Sequence, residues 1–191
     1  YVMVCSVGIA MALLGTILLY YAQVQAGPAG VQAMSWLEMR TDGTRFNPDL
    51  VRLAAIFLII GYGTKAGLAP MHTWLPDAHS QAPTPVSGLL SGALLSCAMY
   101  AIARNMAIIN LLPGVADFVG KLLTGFGLFS IAVAVPFLLL QNDIKRLLAY
   151  SSVEHMGIVA LGIGSGTTLG LYGALLHLFH HAVGKSWLFY L

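Results

Sequence analysis

Apolar residues in this chain run in long blocks instead of alternating with polar ones. Six blocks approach the roughly 20 residues a helix needs to cross a bilayer: 1–21, 50–69, 85–106, 118–140, 147–164 and 169–191. Such blocks predict helices, because a chain in lipid must satisfy its backbone N–H and C=O groups within its own segments. The expected fold is all-α, a polytopic transmembrane helix bundle of six spans. The one long polar stretch, 23–49, carries Glu38, Arg40, Asp42, Arg45 and Asp49 around Gly-Pro and Asn-Pro breaks. It reads as an extramembrane loop with a short interfacial helix near Trp36. Residues 1–191 together read as one transmembrane domain.

Composition narrows the class further. Hydrophobic residues make up 58% of the chain and charged ones 8%, about a third of the charge of a soluble domain. This excludes a soluble enzyme, a disordered chain and a coiled coil. The net charge is +2, from nine basic residues scattered singly or in one pair, too sparse for nucleic acid as a partner. Cys5 and Cys97 lie in apolar runs and read as two small buried hydrophobes, too few for an iron–sulfur or zinc site. No redox centre, metal or cofactor is expected in this chain. Block 1–21 is too long for a signal-peptide core and lacks a basic start. With Tyr1 at one end and an apolar run reaching Leu191 at the other, the chain reads as part of a longer polytopic protein. Counting basic residues sets Arg40, Arg45, Arg52, Arg104 and Lys121 against Lys145 and Arg146, which would make the long loop cytoplasmic.

The informative residues are those that do not belong in lipid. Lys65 lies in an apolar block interrupted by Gly61, Gly63, Gly67 and Pro70. A helix broken at membrane depth beside a charge points to a transport site, since unwound backbone is tolerated there only where it lines protein or water. The plain alternative is a lysine snorkelling to the interface; against it, His72, Asp77 and His79 continue the polar path. In the last block His177, His181 and Lys185 are spaced i, i+4, i+8 and stack on one helix face. Histidine suits proton relay because it titrates near neutrality. A metal site is the rival reading, with no nearby carboxylate or cysteine to complete it; His180 points off the stripe and reads as a packing residue. Glu154 and His155 sit side by side in block 147–164, either on a proton route or as a clamp to a basic residue of a neighbouring helix. Asp143, Lys145 and Arg146 form a charged hairpin read as a topological anchor. Ser87, Gly88, Ser91, Gly92 and Ala93 read as tight helix packing.

Three stretches carry a family resemblance: Lys65-Ala-Gly-Leu-Ala-Pro-Met-His-Thr-Trp-Leu-Pro-Asp-Ala-His79, Ala82-Pro-Thr-Pro-Val-Ser87 and Asp143-Ile-Lys-Arg-Leu-Leu-Ala-Tyr-Ser-Ser152. They resemble the antiporter-like proton-channel subunits shared by respiratory complex I, Mrp-type cation/proton antiporters and membrane-bound hydrogenases. Within that family the chain is most similar to component F of hydrogenase-4, the formate-hydrogenlyase type. The resemblance implies a protein of about fourteen spans built from two inverted five-helix repeats, each with a broken helix. This chain would hold the sixth to eleventh spans, with the first broken helix at 50–80. Lys65 matches the family's buried lysine, His177 and His181 its central histidine relay, and Lys185 the lysine one turn on. Family topology puts the Asp143–Arg146 hairpin in the cytoplasm, which overrides the basic-residue count. Ser96 stands where many relatives have a further lysine, and Glu154 with His155 is the expected substitute.

The function these residues imply is proton translocation across a bacterial or archaeal cytoplasmic membrane, driven by redox chemistry in partner subunits. An amine paired with an acid keeps its proton and yields it when separated in an apolar setting, so separation of such a pair is the expected switch. The proton-transfer set is Lys65, His72, Asp77, Glu154, His155, His177, His181 and Lys185. Expected partners are other membrane subunits, a peripheral hydrogenase or dehydrogenase arm, and the lipid bilayer. Two alternatives stand beside this: a complex I or Mrp subunit, with sodium as a second ion, and a structural membrane anchor for a redox arm.

Overall fold

Helices follow the apolar blocks, with ends set by local capping chemistry. The computed structural model describes residues 1–27 and 35–191. Its elements are α1 (Val2–Ala26), α2 (Trp36–Asp42) with a 3-10 turn at Gly43–Arg45, α3 (Pro48–Ala66) and α4 (Trp74–Gln81). They continue with α5 (Thr84–Ile109), α6 (Pro113–Leu140), α7 (Ile144–Gly164) and α8 (Thr168–Tyr190). Among the described residues the regular structure is all helical. Of the segment read as extramembrane, 28–34 lies outside the described residues.

Three helix starts have a side-chain cap, which satisfies an N–H with no partner inside the helix. Asn47 Oδ1 accepts from the Asp49 N–H at 3.0 Å, Asp143 Oδ1 from Lys145 at 2.9 Å, and Thr167 Oγ1 from Gly170 at 3.0 Å. Pro48 and Pro113 occupy the first turns of α3 and α6, where a missing N–H costs nothing.

Among the described residues four helices, α1, α5, α6 and α7, are long and apolar enough to cross a membrane. Helix α3 falls short of that description because Asp49, Arg52 and Lys65 lie within it, and α8 because it carries three histidines and Lys185. The residues that lower their apolar character include Lys65 of α3 and the histidines and Lys185 of α8.

The second apolar block breaks at one place only. Gly61 and Gly63, expected as interruptions, lie inside continuous α3; a Cβ on Gly61 would run into the backbone of Ala12, so its role is to let α1 and α3 touch. The helix stops at Gly67, whose φ of 76° is left-handed. Its N–H bonds back to Thr64 and that of Leu68 to the Gly63 carbonyl at 2.9 Å, a Schellman termination. The unwound segment is satisfied from neighbouring elements, as membrane depth requires: Ser130 Oγ of α6 accepts the Ala69 N–H at 2.9 Å. The Trp74 indole N–H donates to the Thr64 carbonyl at 2.8 Å.

Helix α1 packs along α3, α6 along α7, and α8 against α7 and α5. Small residues set the close approaches. Gly127 and Gly157 each face the other's carbonyl, and Gly88 and Gly92 of α5 face Tyr190 and Ser186 of α8. Within α5 the turn Leu90–Leu94 is a π-helix, an irregularity often found at functional sites. At the α6–α7 corner Lys145 Nζ donates to the Ala82 carbonyl at 3.1 Å, and Arg146 pairs with Asp77 at 3.1 Å. The charged hairpin thereby fastens α7 to the α4–α5 connection. Cys5 is buried, whereas Cys97 is exposed on α5, contrary to its reading as buried, because residue 97 falls on the outer face of that helix.

Candidate functional site

The polar cluster forms between α7 and α8. Helix periodicity puts Ser151 and His155 on the face of α7 that meets α8, and His177, His181 and Lys185 on the facing stripe. His155 Nδ1 lies 2.9 Å from His177 Nε2, and the His155 and His181 ring centroids are 5.4 Å apart. Lys185 is buried; its Nζ donates to Ser151 Oγ at 2.7 Å and to the Leu148 carbonyl at 2.9 Å. One residue along α7, Ser152 Oγ lies 2.9 Å from Ser91 Oγ, in the π turn of α5.

His181 is buried with neither ring nitrogen bonded to another protein group. A cavity of about 180 Å³ runs beside it, lined by His155, His177, His180 and Lys185 among others. Buried polar atoms beside a cavity of that size are where water bridges protein groups. Adjacent imidazoles, a hydroxyl and an amine can then exchange protons over short steps without any one group crossing the bilayer.

The remaining expected residues are spread around this cluster. Lys65, near the end of α3, is half-buried; it donates to the Tyr1 hydroxyl at 3.1 Å and lies 5.1 Å from that ring's centre. Both contacts are with Tyr1, just ahead of α1, and not with the histidines. His72, in the unwound segment, is buried with Nδ1 unpartnered and its ring 6.4 Å from that of Tyr150. Asp77 is exposed and paired with Arg146. Glu154 is half-buried and makes no ion pair among the described residues. His180 is exposed, off the stripe of His177, His181 and Lys185.

His79 was outside the expected set. It is fully buried, stacked on Phe189 of α8 at 4.9 Å between centroids, and both ring nitrogens lack partners. Ser87 Oγ donates to its carbonyl at 3.2 Å. The sequence signal was its position two residues past Asp77 on the inward face of α4; what hid its importance is that α8, over a hundred residues on, supplies its surroundings. Ser151, likewise outside the expected set, is the group that holds Lys185.

The transmembrane family described as NADH:quinone oxidoreductase/Mrp antiporter matches residues 1–191. The chain is 43% identical over 190 residues to a hydrogenase-4 component F homolog of Methylacidiphilum infernorum, covering all of this chain and 40% of that protein. It is 43% identical over 134 residues to an NAD(P)H-quinone oxidoreductase chain 4 of Prochlorococcus marinus, 70% of this chain and 24% of that one. The chain therefore spans well under half the length of these relatives. Among solved structures it is similar to a chain of the membrane-bound sulfane sulfur reductase, an archaeal respiratory membrane complex, with a TM-score of 0.84, 26% identity and coverage of 100% of this chain and 37% of that one. Respiratory complex I from Thermus thermophilus gives 0.64 at 28% identity, covering 97% and 38%.

Proposed function

Because this chain belongs to the NADH:quinone oxidoreductase/Mrp antiporter transmembrane family, an antiporter-like membrane subunit family, we propose that it forms part of a proton path across the cytoplasmic membrane in a redox-driven hydrogenase or formate hydrogenlyase complex. The observation that carries the reading is the line of His155, His177, His181 and Lys185 between α7 and α8, in which His181 and Lys185 are buried and His155 and His177 half-buried. Ionisable side chains are costly at membrane depth and persist there chiefly for function. The similarity of residues 1–191 to part of a hydrogenase-4 component F homolog supports the hydrogenase assignment. The match to NAD(P)H-quinone oxidoreductase chain 4 favours, as the second reading, a complex I type subunit with the same path and a different electron donor.

In this proposal α3 with α4, and α8, join the four long apolar helices as further spans, giving six in a protein of about fourteen with inverted repeats. Segment 23–49 is extramembrane and the Asp143–Arg146 hairpin is cytoplasmic. Protons enter the path near Lys65 and His72 and pass through the α7–α8 cluster, with His79 beside Phe189 as a further station. The acid that pairs with Lys65 comes from outside residues 1–191. The chain's own part is to hold these groups within reach of shared water and to keep bulk solvent out.

The test is His181→Ala in the full-length protein, read as proton uptake by inverted membrane vesicles driven through the parent complex. Loss of a proton relay group slows transfer by on the order of a hundredfold, with assembly unchanged. Uptake at the normal rate in an assembled variant overturns the proposal.

A further inference from the structure

Away from the α7–α8 cluster, two arginines converge on one tryptophan. Arg104 Cζ lies 4.0 Å from the centre of the Trp36 ring and Arg40 Cζ lies 5.5 Å from it. The Trp36 indole N–H donates to the Arg104 carbonyl at 3.0 Å, which fastens α2 against α5. Arg104 Nη1 donates to the Tyr100 hydroxyl at 2.9 Å, a neutral partner. The ion pairs among the described residues engage Arg52 and Arg146, so neither Arg40 nor Arg104 has a carboxylate within bonding distance there. Residues 28–34 contain no acid in sequence. Two guanidiniums thus gather on one aromatic ring, neither of them with an acidic partner among the described residues.

The position fits a lipid headgroup. Arg104 lies five residues before the end of α5, one of the helices able to cross a membrane, and Trp36 and Tyr100 are residues of the kind that gather at headgroup level. From Arg104 an exposed face of α5 runs back through Tyr100, Cys97, Ala93 and Leu89, spaced to fall on one stripe. The side chains at 93 and 97 are small, with Leu89 and Tyr100 as larger neighbours along that exposed apolar face. A cationic fork above an apolar face matches a phosphate above an acyl chain, and guanidinium binds phosphate in paired hydrogen bonds.

We propose that Arg40 and Arg104, held on Trp36, bind the phosphate of an anionic phospholipid whose acyl chain lies along Leu89, Ala93 and Cys97. This assignment is independent of the proton path and is read by lipid binding alone.

The full-length protein, purified with its partner subunits, is equilibrated with dioleoylphosphatidylglycerol or dioleoylphosphatidylcholine and the retained lipid is counted by native mass spectrometry. Phosphatidylglycerol is retained selectively, and its retention falls with ionic strength. Arg40→Gln or Arg104→Gln alone weakens it about fivefold and the pair about thirtyfold, while Arg52→Gln, whose side chain is already paired with Asp49, leaves it unchanged. Equal retention of both lipids overturns the proposal, as does full retention by the double variant or displacement by excess inorganic phosphate, which marks a free-anion site. If the double variant fails to fold, the salt titration of the wild type decides, and retention independent of salt overturns the assignment.

Discussion

Lys65 and the α7–α8 cluster put two different demands on single residues. The Lys65 amine meets the Tyr1 hydroxyl and ring, so its substitution removes a charge without opening the cluster. Lys65→Ala in the full-length protein is expected to abolish proton uptake by vesicles while subunit stoichiometry on native gels stays normal; normal uptake would remove Lys65 from the path. Within the cluster the structure favours His155 over its neighbour Glu154, because only His155 is bonded to His177. His155→Leu should therefore cost uptake at least about tenfold, and more than Glu154→Gln does; the reverse order would return the role to the carboxylate. Residues 177, 181 and 185 were legible in the sequence because they share one helix, where spacing alone sets the face. The His155–His177 bond, the grip of Ser151 on Lys185 and the burial of His79 against Phe189 were not, because each depends on how two helices meet.

At the scale of elements, apolar length located the helices and glycine chemistry decided where one of them stops. Pattern alone treated Gly61, Gly63 and Gly67 alike as interruptions. Only Gly67 has a left-handed φ; Gly61 is a contact with α1, and Gly63 has only ordinary contacts, with Met71 at 3.4 Å and Leu68 at 3.5 Å from a built Cβ. The three should respond differently to the same change. Gly67→Ala meets both the left-handed penalty of about 1–2 kcal/mol and Leu75 at 3.1 Å, and lowers stability by about that amount. Gly63→Ala, inside a helix and in open contact, leaves stability equal or raises it by up to about 1 kcal/mol. Thermal unfolding of the purified full-length variants checks the order, and equal effects would mean that the helix does not terminate at Gly67. The start of α6 at Pro113 shows the opposite limit of pattern reading. The apolar block begins at residue 118, but the helix begins at Pro113, a residue suited to a first turn, and so takes in polar Asp117.

Over the whole molecule, the outer face of α8 decides what the chain needs around it. Phe179, Val183 and Trp187 are exposed there as lipid would allow, yet His180 and Gly184 are exposed on the same helix and His177 is partly so. Lipid rewards neither an open imidazole nor an open glycine, whereas both suit contact with another helix. The relatives supply a source for it, since this chain spans 40% of the hydrogenase-4 component F homolog. Residues 1–191 expressed alone are therefore expected to carry no protons in liposomes, and the full-length protein with its partners is the unit to assay. The similarities favour a hydrogenase arm among those partners. The hydrogenase relative matches this chain end to end, while the quinone oxidoreductase relative of equal identity matches 70% of it. Purification of the tagged full-length protein from gently solubilised native membranes is thus expected to bring down a nickel-iron hydrogenase large subunit, identified by mass spectrometry. NADH dehydrogenase modules in its place would move the chain to the complex I branch. That result would leave the α7–α8 cluster its proposed role as ion path and change only the reaction proposed to drive it, because the cluster is built from this chain's own residues.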